Sequence, residues 1–143
     1  MTLSVTFAAR TGSIGARLFY DCCHAVLEGE RKTRGAVSVV LLDDAAIREL
    51  NVRYLRHDYP TDVITFPMGE GREVEAEIYI SVDTARRQAR EYRVTLREEL
   101  ARLAVHGVLH ACGHDDASDA QRERMRILEN RYLNVVFGGR MRT

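Results

Sequence analysis

Three cysteines, two prolines and no tryptophan occur in 143 residues, and no charge is left over once 21 basic and 21 acidic side chains cancel. The odd cysteine count, with Cys22 and Cys23 adjacent and poorly placed to bridge, excludes a disulfide framework and points to a reducing compartment. The cytoplasm is the expected location. Charge balance removes any whole-molecule attraction to nucleic acid or to a membrane surface, so a polyanion site has to be a local patch. No apolar run is long enough to span a bilayer, and the first thirty residues carry charges where a secretion signal would be uninterrupted. No membrane association is expected, and no repeat, linker or low-complexity segment breaks the chain.

What is present fits one domain over residues 1–143, long enough to bury a hydrophobic core without help from a metal. A bound metal would therefore serve function. LSVTF alternates as a half-buried strand does, with Leu3, Val5 and Phe7 on one side. After the start signal TGS, residues Ile14, Leu18, Phe19, Cys22 and Val26 recur at helical spacing and predict a helix over 14–28. The polar run GERKTRG separates it from a buried strand, AVSVVLL. Asp43 or Asp44 can cap a helix carrying Ile47 and Leu50, which fades into RYLRHDYP and is broken by Pro60. DVITF and EAEIYISV are two more strands, joined through the glycine-containing turn PMGEGRE.

From Asp83 onward the pattern is helical. Thr95 and Glu98 form a capping box ahead of LREELARLAVHGVLHA, while Ser118 and Asp119 open a last helix striped by Met125, Leu128, Tyr132 and Val136. The expected fold is α+β: a single domain with a small mixed four-stranded sheet packed with about five helices.

The stretch HGVLHACGHDD, residues 106–116, concentrates the chemistry. His106 and His110, four apart on one helix, share a face on which two imidazoles can grip one ion. Alone, such a pair is an ordinary couple of hydrogen-bonded helix histidines. Gly113, however, can take the left-handed conformation that stops the helix and turns the chain back. His114 one turn further would only lengthen a row, and three donors in a row do not surround a tetrahedral ion. Asp116 stands where the long zinc-protease pattern H-E-x-x-H-x-x-G-x-x-H places its third histidine. The expected ligands are His106, His110 and Asp116. Such proteases take their base from the residue after the first histidine, and Gly107 has no side chain to accept a proton. Peptidase chemistry is disfavoured.

These residues resemble the signature HGxLHLxGYDH of the YbeY family, single-strand-specific endoribonucleases and ribosomal-RNA maturation factors of bacteria. NVRYLRHDYPTDVITFP is similar to that family's Y-R-x-K-D-x-P-T-D-V-L-S-F-P segment, EIYISVDTA to its G-D-I-x-I-S segment, and MRILENRYLN to its final helix. The likeness runs from about residue 36 onward. It implies an α+β fold, one zinc ion per chain, single-stranded or ribosomal RNA as substrate, and ribosomal subunits as partners. Departures accompany it: Asp116 stands for the third histidine, His114 for the tyrosine, Leu55 for the arginine after the family tyrosine, and Glu77 for the aspartate of G-D-I. Asp116 lowers the positive charge at the site relative to three histidines. With Leu55 in place of a phosphate-binding arginine, Arg56 or His57 is expected to substitute, Arg56 gripping phosphate and His57 positioning it.

The catalytic candidates are Arg56, His57, His114 and Asp115, the base being open among His114, Asp115 and a metal-bound hydroxide. Two histidines and a carboxylate also hold iron(II), and zinc is preferred through the family likeness. Thr61, Asp62 and Thr65 read as turn and cap residues, Cys112 as a small packed thiol, and His24 as surface or packing. Arg122, Arg124, Arg126 and Arg131, interleaved with Glu123 and Glu129, read as a solvated salt-bridged face. The alternative to a nuclease is an RNA- or ribosome-binding assembly factor whose metal is structural or vestigial.

Overall fold

The computed structural model describes residues 1–68 and 73–138. Residues 69–72 of the expected PMGEGRE turn lie outside the described residues. Four strands, β1 (Thr2–Phe7), β2 (Gly35–Leu42), β3 (Val63–Pro67) and β4 (Val74–Ser81), form one mixed sheet in the order β1-β2-β4-β3. β1, β2 and β4 run parallel, which requires crossovers, and β3 returns antiparallel along β4.

Alternation assigns the two faces. Val37, Val39 and Leu41 of β2, with Ile78 and Ile80 of β4, enter the main core. Their neighbours Leu42 and Ile64 go to the opposite face and join Ile47, with Val40 and Tyr79 packed around them. That second face is covered by α2 (Asp44–Leu50), capped by the Asp43 carboxylate accepting from the Ala46 amide.

The main face carries α1 (Ala16–Gly29), α3 (Val82–Tyr92), α4 (Leu96–Ala111) and α5 (Asp119–Phe137). α1 buries Leu18, Phe19, Cys22, Cys23, Val26 and Leu27. It begins later than the apolar spacing predicts. Thr11 Oγ1 donates to the Ile14 carbonyl at 2.6 Å, so Ile14 lies in a turn ahead of the helix while still packing on the core. α4 is the central helix, buried at Leu100, Leu103, Ala104, Val105, Val108 and Leu109, and it starts at the expected Thr95–Glu98 capping box. α5 opens at a second capping box, Ser118 with Gln121.

The segment after α2 is a correction. Pro60 does not end this helix; Asn51–Leu55 widen into one π-helical turn, and Arg56 closes it in the left-handed conformation at φ 58°. The chain is turned before the proline is reached.

α4 lies close against the sheet because Gly107 has no side chain. A Cβ there would stand 2.6 Å from Ile78 Cγ2 and 3.2 Å from Thr65 Oγ1. Alanine normally gains about 1 kcal/mol over glycine inside a helix. Here the contact should outweigh that gain, and Gly107→Ala is expected to cost about 1–3 kcal/mol by overpacking. A denaturant midpoint unchanged from the parent would show that α4 lifts from the sheet freely. The same contact excludes a glutamate after the first histidine, which gives the protease comparison a steric answer.

Candidate metal centre

α4 carries His106 and His110 to its C-terminal end, where Gly113 at φ 102° stops the helix and the chain folds back. Asp116 returns to the two imidazoles. His106 Nε2 and His110 Nε2 are 3.0 Å apart, and Asp116 Oδ2 is 3.4 Å from the first and 3.3 Å from the second. Metal–donor bonds of about 2.0–2.2 Å at tetrahedral angles put donor atoms about 3.3 Å apart. The triangle fits one such ion. Among the described residues, these three form the cluster able to hold a metal.

The cluster lies in an open cleft of about 610 Å³, lined from the other side by the segment Asn51–Thr65. His57, His114 and Asp115 line this cleft with the three donors. Arg56 does not. As the left-handed residue closing the π turn it is skipped by the lining, which takes Leu55 before it and His57 after it. Arg56 itself is exposed, between two residues of the lining. Asp58 leaves the cleft too, pairing with Arg48 at 2.6 Å. Asp62, expected to be structural, accepts from the Val63 amide at 2.8 Å while lining the cleft, and Thr65 Oγ1 lies 3.3 Å from the Gly107 carbonyl.

Behind the donors stands a layer the sequence reading missed. Glu129, expected on a solvated face, is 6% exposed, and its Oε2 lies 2.7 Å from His106 Nδ1. A hydrogen on Nδ1 donated to Glu129 leaves the Nε2 lone pair facing the site, the tautomer a metal ligand needs. Arg102 links Glu129, at 3.5 Å, to the buried Glu99, at 2.5 Å, whose other partner is Gln88. Burial alone would push the His106 imidazole down, but the hydrogen bond and charge of Glu129, with Asp116 and Asp62, hold it above the ordinary histidine value in the metal-free chain.

His114 has a partner of its own. Its Nε2 is 2.5 Å from Oε1 of Glu30, just past α1, and the other Glu30 oxygen accepts from the hydroxyl of the buried Tyr132. Burial would raise the Glu30 carboxyl, yet these two hydrogen bonds and the neighbouring His114 hold it below the usual carboxylate range. Burial, together with the same contact with Glu30, pushes the Tyr132 hydroxyl up to about 12. Cys112 is a half-buried thiol pushed up to about 11, mainly by burial, and His24 is exposed.

A profile of the family described as Endoribonuclease YbeY matches residues 12–136. The endoribonuclease YbeY of Chloroherpeton thalassium is 46% identical over 112 residues, covering 78% of this chain and 79% of that protein. That of Flavobacterium johnsoniae is 39% identical over 112 residues, covering 78% and 81%. The solution structure of TM1509 from Thermotoga maritima superposes with a TM-score of 0.68 at 28% identity, covering 94% of this chain and 89% of that one.

The chain belongs to the YbeY family.

The α+β fold with five helices and a mixed four-stranded sheet is the fold expected of a YbeY protein. Within this member, Asp116 takes the place of the YbeY signature's third histidine and still closes the donor triangle. Where the YbeY tyrosine is replaced by His114, the ring is held by Glu30 from outside the signature. Among the described residues, no helix is long and apolar enough to cross a membrane.

Proposed function

We propose that this chain is a zinc-dependent endoribonuclease that cuts single-stranded RNA during ribosomal-RNA maturation and ribosome quality control in the cytoplasm. The observation that carries the reading is the His106–His110–Asp116 triangle at an open cleft, in a family whose matched members are named endoribonucleases. His106, His110 and Asp116 would hold the ion. When bound, zinc supplies Lewis acidity toward a phosphate oxygen and toward water.

The chain's own groups divide the remaining work. Glu129 fixes the His106 ring and its tautomer, and Glu30 fixes His114 beside the donors. His114, Asp115 and His57 line the same cleft and are the groups available to move a proton there. Leu55, which lines the cleft where the family segment has a phosphate-binding arginine, and Asp116 in place of the third histidine favour one second reading, a ribosomal assembly factor that binds RNA and retains the metal for structure.

Elemental analysis separates the ligands from their neighbours. Wild type and His114→Ala are expected to carry about one zinc per chain, and Asp116→Ala to lose most of it, because a two-histidine site lacks a third protein donor. RNA cleavage by wild type that stops on chelation supports the nuclease. Binding to ribosomal subunits that survives chelation, without cleavage, supports the assembly factor.

A further inference from the structure

The cleft has to hold a polyanion, yet among the described residues its lining contains no lysine or arginine and does contain Asp62, Asp115 and Asp116. What its outer rim offers instead is aromatic. Tyr59 is 53% exposed, and its ring centroid lies 5.3 Å from that of His57 at an interplanar angle of 37°, both residues lining the cleft that contains the donor triangle. The neighbouring exposed ring, Tyr54, is braced edge-on by Phe66 and is not part of the lining.

The pair is built, not loose. Asn51, 2% exposed at the start of the π turn, accepts from the His57 amide at 3.1 Å through its backbone carbonyl. Its side-chain Nδ2 donates to the Tyr59 carbonyl at 2.8 Å. Asp58 between them is tied outward to Arg48. One buried asparagine at the start of the π turn thus holds both rings' backbones. An exposed aromatic ring held in place by its backbone offers a face on which an unpaired nucleobase can stack whatever its identity.

We propose that Tyr59 and His57 form a stacking platform for a nucleobase of single-stranded RNA next to the phosphate at the metal centre. This rests on the nuclease reading for its substrate and names how that substrate is gripped. Bases paired in a duplex have their faces covered by neighbours, so the platform selects unpaired strands. With bases instead of phosphates as the handle, affinity depends weakly on salt: its logarithm falls less steeply than the slope of about 0.7 expected for each neutralised phosphate of a single strand.

The test is fluorescence anisotropy of the whole protein with a labelled single-stranded RNA of mixed sequence, beside an abasic oligonucleotide of equal length, with cleavage of the same RNA followed on gels. Tyr59→Ala is expected to weaken RNA binding by about 5- to 150-fold, the value of one base stack, while Tyr59→Phe binds as wild type does. The abasic oligonucleotide should bind wild type and Tyr59→Ala equally poorly. Equal RNA affinity of Tyr59→Ala and wild type overturns the platform, as does a salt slope of several phosphate contacts. RNA bound in this Tyr59-dependent way but never cut leaves the platform standing and overturns the nuclease. RNA cut normally by Tyr59→Ala, with unchanged affinity, does the reverse.

Discussion

His110→Ala is expected to abolish RNA cleavage, by about three orders of magnitude or more, and to leave the folded chain without its metal. A metal acting as Lewis acid contributes several kcal/mol to the transition state, and about 4 kcal/mol already amounts to a thousandfold in rate. His110 supplies one corner of a donor triangle whose other corners lie 3.0 and 3.3 Å away, and nothing on the helix can replace it. Ala111 follows it, and the preceding turn is filled by buried Val105 and Val108. The protein should survive the change well. The His110 side chain is 25% exposed, its partners are the other two donors, and alanine favours the helix.

Circular dichroism and a denaturant midpoint close to those of wild type, together with lost zinc and lost cleavage, complete the expected result. Unchanged cleavage by a metal-free, folded His110→Ala would remove the metal from the mechanism altogether. Asp116→Ala should resemble it, whereas His114→Ala, which leaves the triangle whole, should keep the metal and reveal through its rate alone what the imidazole held by Glu30 does.

The donor triangle was legible in the sequence because each of its parts has a local signature. Helical spacing aligns His106 with His110, a glycine able to adopt positive φ reverses the chain at Gly113, and the spacing of the long zinc-protease pattern picks out Asp116 beyond the turn. Alternation in β1, the β-branched and apolar runs of β2 to β4, the Thr95–Glu98 capping box and the Ser118 cap are local in the same sense, and they located the strands and the starts of α4 and α5. What supports the triangle was not legible, because it crosses the fold. Glu30 meets His114 across 84 residues of chain, and Glu129 meets His106 across 23. The cleft's far rim includes a π turn, whose register differs from that of an α-helix and has no local signature in the sequence. One signal for Glu129 was present all the same. It falls at helical spacing with Met125, Leu128, Tyr132 and Leu133, on the stripe that α5 buries, and an acid in a buried stripe requires a partner.

That partnership sets the second large effect. Glu129→Ala is expected to lower stability by about 1–3 kcal/mol, since His106 loses its acceptor and Arg102 loses the more distant of its two carboxylates while keeping Glu99. It should also weaken metal binding by about 10- to 100-fold, as loss of the carboxylate behind a ligating histidine does. Glu129→Gln separates the two effects. Its amide oxygen can still accept from His106 Nδ1, so ring orientation and much of the metal affinity should persist while the charge facing Arg102 is gone. The pH dependence follows from the sign of the His106 shift. Its folded value lies above the unfolded one, so the pair's contribution to the metal-free chain is complete below the unfolded histidine pKa and is lost as pH rises through the folded value. Both Glu129 variants should therefore differ most from wild type on the acid side of that interval and converge toward it above, in denaturation curves recorded with chelator present. A gap that stays constant across the interval would mean that Glu129 stabilises the fold through Arg102 and Glu99 alone, with His106 a bystander.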